Sequence, residues 1–226
     1  MMTKVTLALS FLSLATFLGG MLLARWGMVP PVAGLALFAL GGVLGMASVG
    51  AALAVMFMGK GYSVAMVGML GALPFIALLG GALSALQYPA INDIATDLDT
   101  PPGIAGESTP PQLAADIIRK DYPGLVALNC DLPPKTAYAQ ALSLARASHW
   151  NWTITEERPD THTFHGVAIT GIFHFEDDFT VRVVPTDDGG SRIDMRSKSR
   201  VGKSDLGANA RRIRRYLEAL APLLAR

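Results

Sequence analysis

Acidic, histidine and arginine side chains crowd the last third of the chain, where they could transfer protons, hold a metal or bind an anion. Asp177 and Asp178 stand in the run FEDD, and His162, His165 and His174 precede them. Paired carboxylates can act as general acid and base, and carboxylates with imidazoles can bind divalent metals. No recognised ligand spacing occurs, and nothing else marks a catalytic cleft. We therefore predict no catalytic residue, no metal and no cofactor, and favour a non-enzymatic role while leaving an enzyme open.

The densest positive charge lies in residues 196–215, RSKSRVGKSDLGANARRIRR. At about 100° per helical residue, Arg211, Arg214 and Arg215 point to solvent, away from the apolar stripe of a closing helix. The other polar residues of this region are predicted to meet where that helix borders the strands. They are Asp177, Asp178, Arg182, Arg196, Ser197, Ser199, Arg200, Ser204, Asp205, Asn209 and Arg212.

Two interpretations of this junction stay open. Backbone N–H groups at the start of the helix, together with Arg196, Arg200 or Lys203, could bind an anionic group. Alternatively, the arginines form an ion-pair network with Asp177 and Asp178 that locks the helix to the sheet. We favour the network because acidic residues are abundant nearby. Ser204 is predicted to be the N-cap of the helix in either case.

The elements that must position these residues indicate an α+β fold. Apolar residues recur at helical spacing in residues 134–149 and 205–224, and residues 112–120 are predicted to form a short helix. Alternating patterns predict a mostly antiparallel sheet of about four strands, with helices over one face. These strands cover residues 151–157, 161–170, 173–184 and 191–199. The pair Asp188-Gly189 predicts a hairpin between the last two strands.

Three apolar runs precede this domain, at residues 5–24, 32–58 and 63–86. Each reaches the roughly 20 residues that a transmembrane helix needs, and none contains a charged side chain. Intramembrane charges usually mark ion pathways, so their absence argues against a transporter. We predict a three-helix anchor, with the first run retained rather than cleaved and with a kink at Pro74 in the third.

The orientation of the anchor depends on three charges, because residues 1–87 contain only Lys4, Arg25 and Lys60. Placing Lys4 and Lys60 in the cytoplasm leaves Arg25 outside, in agreement with the positive-inside rule. We therefore predict a multi-pass protein of the inner (plasma) membrane, with a cytoplasmic N-terminus and a periplasmic soluble domain.

Small residues are frequent in the three spans, and they let helices approach closely in lipid. The pattern allows packing among the three spans themselves or docking on another membrane protein. The residues singled out for helix packing are Gly41, Gly45, Gly68 and Gly71.

The chain is predicted to divide into the anchor (1–87), a proline-rich extended arm (88–111) and the soluble domain (112–226). The arm could be a linker or a strap laid over the domain. Residues 88–190 hold 15 acidic against 6 basic side chains, a net charge of −9, and residues 191–226 hold 10 basic against 3 acidic, a net charge of +7. These two parts should attract each other, which argues against nucleic acid as a partner.

The runs YPAINDIATDLDTPP, FEDDFTVRV and DMRSKSRVGKSDLGANARRIR together resemble the domain-of-unknown-function family DUF1499, from about residue 88 to the C-terminus. Its members are bacterial, with relatives in plastids, and some carry N-terminal membrane spans. The resemblance implies an extracytoplasmic or membrane-associated domain. It supplies no reaction and no catalytic residue.

Together these observations predict a membrane-anchored, non-catalytic accessory protein that docks on a larger membrane protein complex. Its expected partners are the lipid bilayer and other integral membrane subunits. The alternative is a binding domain for a small anionic ligand or a lipid headgroup at the strand–helix junction.

Overall fold

The chain forms two compact units, each with its own packing. The structure, a computed structural model, describes residues 2–59, 62–109, 111–147 and 149–225. The first unit comprises Met1–Gln87 with Gly171–His174, and the second comprises Tyr88–Thr170 with Phe175–Arg226. Lys60, which enters the orientation argument, lies outside the described residues.

The first unit contains three helical spans, each long and apolar enough to cross a membrane. Helix α1 covers Met2–Arg25 and α2 covers Pro31–Phe57. The third span consists of α3 (Tyr62–Gly68), a 3₁₀ turn (Met69–Gly71) and α4 (Ala72–Ala85). The three predicted apolar helices are therefore confirmed.

The break in the third span lies just before Pro74. Proline has no N–H to donate to the carbonyl of Leu70, and its ring crowds that carbonyl, so the preceding turn tightens. A side chain of α2 forms a hydrogen bond to the same region: the Ser48 hydroxyl donates to the carbonyl oxygen of Gly68 at 3.0 Å. A polar side chain from a neighbouring helix thus supports the backbone around the break.

The second unit is built on an antiparallel sheet, which confirms the α+β class. The strands are β1 (Asp93–Ala95), β2 (Leu128–Cys130), β3 (Trp152–Arg158), β4 (Thr163–Ile169), β5 (Glu176–Pro185) and β6 (Ser191–Ser199). Their order is β1-β6-β5-β4-β3, and β2 also pairs with β6. The expected number of about four strands was wrong, because the described residues form six. The additional strands β1 and β2 have three residues each, too few to show an alternating pattern.

Three helices complete the second unit: α5 (Ala115–Asp121), α6 (Pro134–Ala145) and α7 (Ala208–Leu224). Helix α7 begins three residues later than predicted, and Gly207 is its N-cap, with φ at +75°. The predicted N-cap Ser204 was therefore wrong. Asp205 takes over the capping instead, since its carboxylate accepts hydrogen bonds from the backbone N–H groups of Gly207 and Asn209.

The two faces of the sheet have different partners. Phe179, Val181 and Met195 point into the apolar core, which they share with α6 and α7. The alternate residues Thr180 and Arg196 point to the opposite face, where they bond to backbone carbonyls of the arm, residues 88–111. The arm is thus a strap across one face of the sheet, and it contributes β1 to the sheet edge.

Candidate functional site

The polar residues predicted to meet at one junction lie on opposite faces of β5 and β6. Side chains alternate along a strand, and β5 and β6 pair in register, with Asp177 opposite Ser199 and Arg182 opposite Asp194. Asp177, Ser197 and Ser199 therefore face α7, whereas Arg182 and Arg196 face the arm. The structure divides most of the predicted site into a helix-face cluster around Arg212 and an arm-face cluster around Arg196.

The helix-face cluster consists of Asp177, Ser197, Ser199, Asn209 and Arg212. The Ser197 hydroxyl donates to Asn209 Oδ1 at 2.7 Å, and Asn209 Nδ2 donates to Ser199 Oγ at 3.0 Å. Arg212 Nη1 donates to Ser197 Oγ at 2.7 Å and also bonds to Asn209 Oδ1, while Arg212 Nη2 reaches Asp177 Oδ2 at 2.5 Å. Each of these side chains thus has a partner, and together they fasten α7 to the sheet.

Asn209 also ties the arm to this cluster. It is completely buried, and its Nδ2 donates a second hydrogen bond to the backbone carbonyl of Asn92 at 3.0 Å. One side chain therefore connects α7, β6 and the arm.

The N-terminus of α7, where an anionic ligand was expected, already holds a carboxylate. Asp205 Oδ1 accepts from the Gly207 N–H at 2.8 Å and Asp205 Oδ2 from the Asn209 N–H at 2.6 Å. Burial raises the pKa of Asp205, and these backbone hydrogen bonds act in the opposite direction. The Ser204 hydroxyl lies to one side, 3.5 Å from the carbonyl oxygen of Pro89. The Asp205 carboxylate thus occupies the position at the start of α7 where the sequence suggested that an anionic ligand could bind.

Arg196 is the centre of the arm-face cluster and is 0% exposed. Its Nε and Nη2 form a bidentate pair with Asp93 at 2.9 and 2.7 Å. Its Nη1 donates to Glu107 Oε2 at 2.7 Å and to the carbonyl of Pro102 at 3.1 Å, and Nη2 donates to Glu107 Oε1 at 3.2 Å. All five N–H groups of the guanidinium thus have acceptors. Arg196 was expected beside α7, and this expectation was wrong.

The position of Glu107 beside Arg196 changes the pKa of its carboxyl group. Burial raises the pKa of Glu107, but hydrogen bonds from Arg196 and Lys198, with their positive charges, outweigh burial and lower it to about 2. Its ordinary value is 4.5. The ionised carboxylate is therefore part of the folded arrangement.

A second ion-pair group on the same face surrounds Asp97. Arg182 Nη2 donates to Asp97 Oδ2 at 3.0 Å and to the carbonyl of Thr100 at 2.9 Å. Arg182 also lies 3.4 Å from Asp194, which is 0% exposed. Burial raises the pKa of Asp97, yet hydrogen bonds from Thr100 and the charge of Arg192 lower it overall. This group fixes the arm at a second point.

Arg200 and Asp178 form a surface pair outside both clusters. Arg200 Nε and Nη2 bond to the two carboxylate oxygens of Asp178 at 2.9 and 2.8 Å, and Arg200 also pairs with Glu176. The Arg200 side chain is 43% exposed. The hydrogen bonds that Arg200 donates to Asp178 raise the pKa of Arg200, with a smaller opposing effect of burial. Solvent therefore screens this pair, unlike the pairs of Arg196.

The three histidines do not converge on a metal site. His165 is buried with Nδ1 2.7 Å from Thr180 Oγ1, whereas His162 lies against the ring of Tyr138. His174 belongs to the loop assigned to the first unit. Within the described residues, no group of three or more histidine, cysteine, aspartate or glutamate side chains could hold a metal ion.

The residues that sequence reasoning missed are in the arm: Asn92, Asp93, Asp97 and Glu107. The opposite net charges of residues 88–190 and 191–226 could have indicated these acidic residues, because the basic C-terminal segment needs acidic partners when its side chains are buried. The period-2 alternation of β6 contained the other signal, since it places Arg196 and Ser197 on opposite faces.

The glycines singled out in the membrane spans pack within the first unit. A Cβ at Gly41 would lie 2.6 Å from the backbone nitrogen of Phe17, and one at Gly45 would lie 2.3 Å from the carbonyl oxygen of Gly71. Cβ atoms at Gly68 and Gly71 would meet α2 at 2.5 Å and 2.8 Å. These four positions are thus sites of close approach between the spans, as are Gly20, Gly34 and Gly42.

Chemically, both soluble clusters are ion-pair and hydrogen-bond networks that join segments distant in sequence. Arg196 has a carboxylate acceptor on two sides, and Arg212 is paired with Asp177. Such an arrangement rigidifies a domain when each buried polar group is satisfied.

The family model described as "Protein of unknown function (DUF1499)" matches residues 93–220, more than half of the 226-residue chain. The match begins at β1 of the arm and ends within α7, so it encloses both polar clusters. No curated protein matches the chain.

Proposed function

Since the chain belongs to the DUF1499 family, whose description assigns no activity, we propose that it is a membrane-anchored, non-catalytic accessory protein. Its transmembrane helices dock on another integral membrane protein, and its soluble domain presents a rigid surface outside the cytoplasm. The partner is a transmembrane helix with a small-residue face of its own.

The observation that carries the proposal is a difference between two sets of glycines. Gly41, Gly45, Gly68 and Gly71 are required by close contacts inside the unit. Gly80 and Gly81 in α4 have no such contact, because a Cβ at either position would meet nothing within 4 Å. A glycine costs a helix about 1 kcal/mol relative to alanine. Gly19 and Gly50 are single open glycines, whereas Gly80 and Gly81 are adjacent, and a close approach by a helix from another protein supplies a reason for this doubled cost.

The surroundings of these two glycines support the same proposal. All six residues from 79 to 84 are exposed, including Leu79 and Leu83. The segment therefore offers exposed small residues flanked by leucines, which suits van der Waals packing between helices in lipid.

The proposed rigid surface is supported by the polar clusters of the soluble domain. Their arginines bond to carboxylates of the same chain, and Arg196 has all five of its donors occupied. Chemistry at a substrate would require donors or acceptors left available to it. These residues instead stabilise a surface of fixed shape.

We test docking by mild-detergent purification from native membranes followed by mass spectrometry. The wild type is expected to bring down a stoichiometric integral membrane protein, and the double variant Gly80→Leu/Gly81→Leu is expected to lose it because leucine side chains block close approach. Gly50→Leu is the matched control, since Gly50 is also an open glycine but lies in α2. A wild-type protein that purifies alone, or a double variant that keeps its partner, would contradict the proposal.

The proposed orientation has a separate test. Alkaline phosphatase fused to the C-terminus is active only outside the cytoplasm, and green fluorescent protein exported there in unfolded form stays dark. We expect an active phosphatase fusion and a dark fluorescent fusion. The reverse result would place the soluble domain in the cytoplasm without affecting the docking proposal.

A further inference from the structure

A cavity of about 450 Å³ lies beside α6, on the side of the turn that joins β3 and β4. It is separate from both polar clusters, and its volume is within the roughly 300–1,000 Å³ range of small-molecule sites. The residues that matter for its chemistry are Lys135, Tyr138, Ala139, Leu142, Arg146 and His162.

Tyr138 has a polar atom that the fold leaves unused. Its side chain lines the cavity and is only 6% exposed, yet its hydroxyl is buried without a hydrogen-bond partner among the described residues. The ring contacts Phe164 and His162, which phenylalanine could do equally well. By contrast, the fully buried Tyr216 hydroxyl donates to the carbonyl of Ala141 at 2.7 Å. A buried hydroxyl without a hydrogen bond is unfavourable. A bound ligand that accepts a hydrogen bond from Tyr138 would remove this penalty.

Charge at the rim of the cavity selects the kind of ligand. Lys135 is exposed and forms no ion pair within the described part of the chain. Arg146, the other cation of the rim, is paired with Glu157. Glu157 and Asp160, the two acids that act electrostatically on Tyr138, do not line the cavity, so Lys135 is a cation of the lining that has no carboxylate partner among the described residues.

Three residues form an apolar part of the cavity wall. Ala139 and Leu142 project from the same helix as Tyr138, and Pro159 lies opposite in the turn. An apolar wall with a hydroxyl and an uncompensated cation matches a molecule that has an apolar body and a single negative charge.

We propose that this cavity binds a small, soluble, monoanionic amphiphile, such as an aromatic or aliphatic carboxylate or sulfonate. Lys135 neutralises the anionic group, the Tyr138 hydroxyl donates a hydrogen bond to it, and Ala139, Leu142 and Pro159 contact the apolar body. The proposal is independent of docking through Gly80 and Gly81.

The probe is naphthalene-2-sulfonate, titrated calorimetrically into the full-length protein in phosphatidylcholine nanodiscs, with empty nanodiscs as the blank. We expect saturable one-to-one binding to the wild type. Ala139→Trp should abolish binding, because Ala139 is exposed at the cavity and a tryptophan fills it. Lys135→Gln should weaken binding about tenfold, the effect of losing about 1.4 kcal/mol, whereas the exposed-lysine control Lys120→Gln should not change it.

Tyr138→Phe separates a ligand site from a packing defect. Removing the hydroxyl should weaken probe binding about five- to tenfold and leave the melting temperature of the free protein unchanged or higher, because no hydrogen bond of the fold is lost. A lower melting temperature with unchanged affinity would overturn the proposal.

Two further measurements test the ligand class. The neutral analogue 2-naphthalenemethanol should bind at least tenfold more weakly than the sulfonate, and equal affinity would overturn the need for an anion. Replacing phosphatidylcholine by phosphatidylglycerol in the nanodiscs should leave the affinity of the wild-type protein for the probe unchanged. Competition by the anionic lipid, abolished in Lys135→Gln, would assign the site to lipid headgroups and overturn the soluble ligand.

Discussion

At the scale of single residues, Arg196 determines how the basic segment of the chain should be understood. Its side chain is 0% exposed, and acceptors from Asp93, Glu107 and Pro102 occupy every N–H group. Such a residue stabilises the fold through satisfied charges, and it has no donor left for a ligand. Removing one of its acceptors should therefore affect stability and pH dependence together.

Glu107→Gln is expected to lower the free energy of unfolding by about 1–3 kcal/mol at pH 7, because buried hydrogen bonds to Arg196 lose their ionic character. The wild-type pKa of about 2 lies below the ordinary 4.5, so the contribution of Glu107 is complete above about pH 4.5 and is lost as the pH falls towards 2. The difference between wild type and variant should therefore shrink from pH 5 to pH 3. Urea unfolding followed by tryptophan fluorescence measures it.

The matched control for this change is Glu218→Gln, at an exposed position of α7. It should change the unfolding free energy by less than about 0.5 kcal/mol at either pH. A Glu107→Gln effect that stays constant from pH 7 to pH 3 would show that the carboxylate charge is unimportant.

At the scale of secondary-structure elements, the arm depends on buried ion pairs, while the end of β6 carries an exposed one. Arg196 and Arg200 each bind two carboxylates, but Arg196 is buried and the Arg200 side chain is 43% exposed. Arg196→Ala leaves Asp93 and Glu107 without their main partner and is expected to cost about 3–5 kcal/mol. Arg200→Ala should cost at most about 1 kcal/mol.

Urea unfolding and hydrogen exchange together check this difference. In Arg196→Ala, amide exchange should accelerate in residues 93–107 more than in β3 and β4, because the arm loses its attachment. In Arg200→Ala the arm should exchange as in the wild type. Equal losses of stability in the two variants would contradict the distinction between buried and exposed pairs.

The elements differ in how well the sequence predicted them. Long strands with alternating residues, such as β5 and β6, and the apolar stripe of α7 were predicted because their own patterns repeat. The three-residue strands β1 and β2 exist only through pairing with β6, so they have no local pattern. The site was predicted as a set of residues but not as two clusters, because partners such as Glu107 are about 90 residues from Arg196, and only the fold brings them together.

At the scale of the whole molecule, the two units are stabilised by different interactions. The soluble unit buries an apolar core and satisfies charges with opposite charges. The first unit packs small residues and hydroxyls, such as Ser10 and Ser48, whose oxygens lie 2.8 Å apart. Apolar burial gives little driving force between helices in lipid, so close contact at glycines must supply it.

Gly45→Ala and Gly80→Ala test that principle with the same chemical change at two helical positions. The new Cβ at Gly45 would lie 2.3 Å from the carbonyl oxygen of Gly71, so the spans must separate, at a cost of about 1–3 kcal/mol. At Gly80 the methyl group meets nothing within 4 Å, and the higher helix propensity of alanine should stabilise the purified protein by up to about 1 kcal/mol. Thermal unfolding in detergent should therefore shift in opposite directions. Similar shifts in the same direction would mean that close glycine contacts do not hold the spans together.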